Sequence, residues 1–201
     1  MLRAVLIWGA LVAALVVPVV VSTTSPLLAW REPVYIIAGL AGVLALGLLL
    51  LQPLLAIGYL PGLPMHRSRG LHRAIGIGLV ACVLVHVGGL WITSPPDVVD
   101  ALLFRSPTPF SVWGVIAMWA VFAAAILAVL RRKLRLRPHI WRKWHLSLVL
   151  IVVSGTVVHA LLIEGTMGLY SKILLCGLVS LAAALAVVHR TSWIAKRLQK
   201  S

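Results

Sequence analysis

Residues 71–86, LHRAIGIGLVACVLVH, and residues 145–159, HLSLVLIVVSGTVVH, share one pattern: two histidines fourteen positions apart in an apolar run. At about 100° per residue, fourteen residues fall about 40° short of four helical turns and advance about 21 Å. His72 and His86 therefore leave one helix on nearly the same face, and so do His145 and His159. A polar ring inside an apolar run is costly unless it has a partner or a task. The rest of the chain shows which solvent surrounds these runs.

Of the 201 residues, 62% are hydrophobic and 11% charged, and the mean hydropathy is +1.08. Soluble domains carry about 25% charged residues, so a water-facing surface cannot be built from this composition. Apolar stretches at 2–21, 34–60, 71–93, 110–130, 144–163 and 169–189 are each long enough to cross about 30 Å of hydrocarbon. The connections are short, polar or proline-rich: 22–33, 61–70, 94–109, 131–143 and 164–168. Pro53 is a candidate kink in the second stretch. The first stretch has the look of a signal peptide, but its apolar run is longer than usual, and it reads as an uncleaved anchor. Cys82 and Cys176 lie in apolar runs, with no disulfide framework and no CxxC or CxxCH motif. The expectation is an all-α membrane protein: a six-transmembrane-helix bundle forming one domain over 1–201.

The formal charge of +14 follows topology. One side receives Arg3, the group Arg67, Arg69 and Arg73, the loop from Arg131 to Lys143, and Arg190, Lys196, Arg197 and Lys200. Together these are 15 of the 18 Lys and Arg. The other side receives Arg31, Arg105, Lys172 and all four acids. Positive charge marks the cytoplasmic face, so both termini are expected in the cytoplasm. The net charge then reflects topology and membrane lipid headgroups, and no nucleic acid partner is needed.

In this arrangement the third and fifth stretches run parallel, with His72 and His145 at the cytoplasmic end and His86 and His159 deeper toward the other face. Facing each other, they supply two stacked imidazole pairs. Neutral imidazole is the commonest side-chain metal ligand. Two trans imidazoles on an iron porphyrin give a six-coordinate b-type haem suited to electron transfer. Two such haems (heme b) would form a wire across the bilayer. Dinuclear metal and proton-relay readings would want carboxylates, and no Asp or Glu falls within a span. Arg73, Arg69, Arg142 and Lys143 are placed to meet propionates at the cytoplasmic haem. Gly76 and Gly155 each lie four residues from a histidine, where a missing side chain lets a flat ring approach; ordinary helix packing explains them equally well. His66, His139 and His189 read as boundary residues. Trp91, Trp113, Trp119, Trp141 and Trp144 read as interface or packing aromatics. The loop 94–109 reads as a cap over the outer haem or a dock for an acceptor; Arg105 reads first as a surface residue, with contact to an outer propionate or an anionic iron chelate as the alternative.

On Leu71-His72-Arg73-Ala74-Ile75-Gly76 with His86, and on Trp141-Arg142-Lys143-Trp144-His145 with His159, the chain resembles the ferric reductase-like transmembrane domain family over about 36–188. That family includes ferric reductases, NADPH oxidases and the haem-binding membrane subunit of methionine sulfoxide reductase systems. The resemblance implies His72 and His145 as ligands of an inner haem and His86 and His159 as ligands of an outer one. It also implies electrons passing from cytosolic NAD(P)H through flavin to an outer acceptor. After Arg190 only eleven residues follow, and no GxGxxG loop occurs, so the donor is expected to be separate. It would be a cytoplasmic flavoprotein reductase, free reduced flavin or membrane quinol, and any flavin would come through such a partner. The acceptor would be a ferric chelate, oxygen or a periplasmic or extracellular reductase. The chain then reads as the electron-transfer component of an oxidoreductase rather than a complete enzyme. A superoxide-forming oxidase component and a non-redox permease or structural subunit are the alternatives.

Overall fold

A computed structural model describes residues 1–198, with side chains described through His189. Its long helices are α1 (Leu2–Thr23), α2 (Pro33–Ile57), α3 (Met65–Thr93), α5 (Pro109–Leu130), α6 (Pro138–Leu162) and α7 (Leu169–Leu198), with a short α4 (Pro95–Leu102). Six of these are long and apolar enough to cross a membrane. The chain is a multi-pass, all-α integral membrane protein. Arg190, Lys196, Arg197 and Lys200 lie outside the residues whose side chains are described.

Local chemistry sets the helix ends. Pro33, Pro95, Pro109 and Pro138 open α2, α4, α5 and α6, where the missing N–H costs nothing and φ is already helical. Gly58 ends α2 at φ 65°, and the N–H of Tyr59 returns to the Leu54 carbonyl at 3.0 Å. Only glycine takes that left-handed turn without strain. α2 remains one helix through Pro53.

Three boundaries differ from the sequence reading. α3 begins at Met65 rather than 71 and α6 at Pro138 rather than 144, so basic residues occupy their first turns. The cause is that charge marks the end of the hydrocarbon, whereas a helix continues into the headgroups. The loop 94–109 contains α4, because Pro95 at a first helical position starts a helix instead of preventing one.

α2 packs along α3, and α5 along α6, while α7 fills the side between α2 and α6 and α1 lies against α2 and α7. α2 is the most deeply buried, with Leu46, Leu49, Leu50 and Leu55 in a cluster that includes Leu175 and Val179 of α7. Apolar side chains such as Ile77 and Val129, more than 70% exposed, face a lipid solvent. In lipid, helices associate by close packing more than by the hydrophobic effect, and glycines allow that closeness. A Cβ on Gly89 would stand 2.7 Å from the Ala38 Cβ, and one on Gly155 would stand 3.1 Å from both the Ala117 Cβ and the Trp113 carbonyl.

The histidine-bearing helices are packed differently. α3 buries only Ser68 and Leu79, and α6 only Val152, Val153 and Gly155, against nine buried residues in α2. α3 and α6 make at most marginal direct contact with each other. Each is backed by its own partner helix, α3 by α2 and α6 by α5.

Candidate functional site

The four histidines lie at two levels along α3 and α6, fourteen residues apart on each helix. At the end away from the basic 131–137 loop, the His86 and His159 ring centres are 6.4 Å apart with their planes at 78°. Each ring is held from behind by the helix that backs its own. His86 Nδ1 donates to the Ala38 carbonyl of α2 at 2.7 Å, and His159 Nδ1 donates to the Phe110 carbonyl of α5 at 2.9 Å. That assignment puts the proton on Nδ1 and leaves Nε2 as a lone-pair acceptor. Neither Nε2 has a protein hydrogen-bond partner among the described residues, and neither is sealed off.

The same local device recurs on both sides. A carbonyl in an α-helix already accepts the N–H four residues on, so a second donor must come in beside residue i+4. Those residues are Gly42 and Gly114. A Cβ on Gly42 would sit 3.0 Å from His86 Nδ1, and one on Gly114 would sit 2.7 Å from His159 Nδ1. Interhelical hydrogen bonds in bilayers average about 0.6 kcal/mol, too little to hold the fold, so their main consequence is ring orientation. Sequence reasoning missed both glycines. The available signal was Ala38-x3-Gly42 and Phe110-x3-Gly114 on the neighbouring antiparallel stretches at the depth of the outer histidines.

Two further contacts brace this end. The buried Thr166 side chain occupies the space a Cβ on Gly39 would need, next to Ala38. Lys172, only 6% exposed, donates to the Ile163 carbonyl just after α6. A cation there meets the negative end of the helix dipole and fixes the turn that carries His159.

At the basic end the arrangement is less regular. His72 Nδ1 donates to the Gln52 carbonyl at 3.1 Å, while Gln52 Nε2 donates back to the His72 carbonyl at 3.3 Å. His145 and His72 are electrostatic neighbours, but no ring contact joins them among the described residues. His145 Nδ1 is buried without a partner, and so is Trp141 Nε1. The two rings stack, centres 5.2 Å apart and planes at 14°. Trp141 thus packs directly on the His145 ring.

The other candidate residues fall as follows. Arg73 is exposed beside His72; Arg142 is exposed and its Nε donates to the Pro138 carbonyl at 3.1 Å. Gly155 serves the α5–α6 contact, and a Cβ on Gly76 would stand 3.7 Å from Gln52 Nε2. Arg105 is exposed beyond α4. Among the described residues no group of three or more His, Cys, Asp or Glu could hold a metal ion.

Comparison with curated proteins and with solved structures finds no match. The family model described as "Ferric reductase like transmembrane component" matches residues 41–156. That range takes in His72, His86, His145, Gly42 and Gly114 and stops three residues short of His159. With that match over more than half its length, this six-span chain belongs to the ferric reductase-like transmembrane family.

Proposed function

We propose that the chain is a membrane b-type cytochrome that passes electrons across the bilayer through two bis-histidine haems, His86 with His159 and His72 with His145. The observation that carries this is the His86–His159 geometry. An imidazole nitrogen binds a metal at about 2.0–2.1 Å, so two trans imidazoles on one ion put their ring centres about 6.3 Å apart. The observed 6.4 Å fits. Both Nδ1–H groups are donated to carbonyls, the arrangement that orients metal-binding histidines and raises their basicity. Two imidazoles per iron leave four positions to fill, which suits a porphyrin and not a hydrated ion.

A haem held by His86 with His159, or by His72 with His145, would supply a one-electron carrier. The chain's residues supply the rest. Ala38, Phe110 and Gln52 hold the rings by their carbonyls. Gly42 and Gly114 clear space behind the outer rings. Apolar residues of α3 and α6 exclude water, and Arg73 and Arg142 would meet carboxylates at the basic end. The fourteen-residue spacing sets the two levels about 21 Å apart along the helices, on a span that needs a relay. We take the termini and the His72–His145 level to lie at the cytoplasmic face, a reading the positive-inside pattern supports. We further propose a separate donor there, a flavoprotein, reduced flavin or quinol, and an acceptor such as ferric chelate or a partner reductase at the outer face.

Haem content and reduced-minus-oxidised spectra of detergent-purified protein test this reading. Two b haems per chain, with His86→Ala removing one and His72→Ala disturbing the other, are expected. Absence of haem from protein made with ample haem supply would overturn it.

A further inference from the structure

Three of the four histidines share one support, and the fourth lacks it. His72, His86 and His159 each give Nδ1–H to a carbonyl of the backing helix. His145 gives it to nothing. A buried donor without a partner costs about 1–3 kcal/mol, and a ring with no hydrogen bond is free to turn about its side-chain torsions. Something else must fix His145 if it is to face His72.

Trp141 occupies the place to do so. It lies one helical turn before His145 on α6, the spacing that brings side chains together. Its indole is nearly parallel to the imidazole, at 14° and 5.2 Å. The Arg131 guanidinium lies over the same indole, 4.7 Å from its centre, and ties the stack to the end of α5. In the other hairpin the position four residues before the inner histidine is Ser68, whose hydroxyl donates to the Leu55 carbonyl at 2.7 Å. A serine there cannot stack, and His72 has its carbonyl instead. One inner ring is held by a hydrogen bond and the other by a π-stack.

We propose that Trp141 is the positioning residue of the inner haem site, setting the plane of the His145 imidazole by stacking in place of the missing Nδ1 acceptor. This rests on the two-haem reading. The angle between axial imidazole planes governs the g-values of a low-spin ferric haem, so the stack has a spectroscopic signature that loss of packing alone would not move.

The experiment is EPR of the oxidised protein, with the two low-spin signals assigned by their loss in His72→Ala and His86→Ala. Trp141→Leu and Trp141→Met remove the aromatic face while keeping an apolar side chain, and Trp141→Phe keeps a face. The two non-aromatic variants are expected to shift and broaden the inner signal, or lose it, with the outer signal unmoved and Trp141→Phe close to wild type. Methionine provides the test should the leucine protein fail to accumulate. An inner signal unchanged in the non-aromatic variants, or changed equally in Trp141→Phe, overturns the inference and leaves the two-haem reading standing. Wild-type protein without haem overturns both.

Discussion

The two histidine levels are built to different standards. At the outer level both rings are anchored to carbonyls, both anchors are cleared by a glycine, and the rings meet at 6.4 Å. At the inner level one ring is anchored through Gln52, and the other rests on an indole with two ring nitrogens unpartnered. The outer geometry is rigid because it depends on backbone atoms of α2 and α5, which cannot move without moving the helices. The inner geometry depends on side chains near the headgroups, where Arg131 and Arg142 are exposed. A rigid pair resists change in its surroundings, whereas a softer one responds to what docks beside it.

The largest expected effect comes from removing a ligand. His159→Ala should abolish the outer haem entirely and leave the inner absorbance, so haem per chain falls by half. Loss of both haems together would mean that the two levels are one cooperative site.

Next in size is the clearance behind the outer rings. A Cβ at Gly114 would stand 2.7 Å from His159 Nδ1, and one at Gly42 would stand 3.0 Å from His86 Nδ1. Overpacking of this kind costs about 1–3 kcal/mol. Gly114→Ala should lower outer haem occupancy more than Gly42→Ala, with the inner haem intact, as read from spectra and haem release on heating. Equal tolerance of both would show that the rings have room to move.

Lys172→Met removes a charge-assisted bond to the Ile163 carbonyl, and such bonds contribute about 1.5–3 kcal/mol. Because the lysine also gives up a desolvated charge, the net loss should be near the low end. Detergent thermal melts should show it, with the outer haem leaving first. Gln52→Leu should do least, about 0.5–1 kcal/mol. It loses only the Nε2 bond to the His72 carbonyl, and the backbone carbonyl that accepts from His72 Nδ1 remains. A large inner-site defect in that variant would mean that the amide side chain, not the backbone, holds the ring.

How much of this was legible in the sequence depends on which atoms carry the information. The six spans and the face shared by His72 and His86 follow from hydropathy and helical periodicity, which are properties of one segment at a time. The carbonyls of Ala38 and Phe110 carry no side-chain signature, and they hold the His86 and His159 rings only when α2 meets α3 and α5 meets α6. Gly42 and Gly114 carry no mark in the sequence that sets them apart from other glycines, while Gly155, a candidate for ring clearance, packs on α5. The Trp141–His145 stack depends on α6 extending back to Pro138. Ending that segment at its charged residues cut the stack out of the helix.

Electron transfer across a sealed bilayer tests the central claim most directly. Purified protein, reconstituted with haem in liposomes that enclose ferricyanide, would receive dithionite from outside. The account predicts rapid loss of internal ferricyanide with wild-type protein and a rate near that of empty liposomes with His86→Ala. Equal rates for the wild-type and His86→Ala proteins would contradict it.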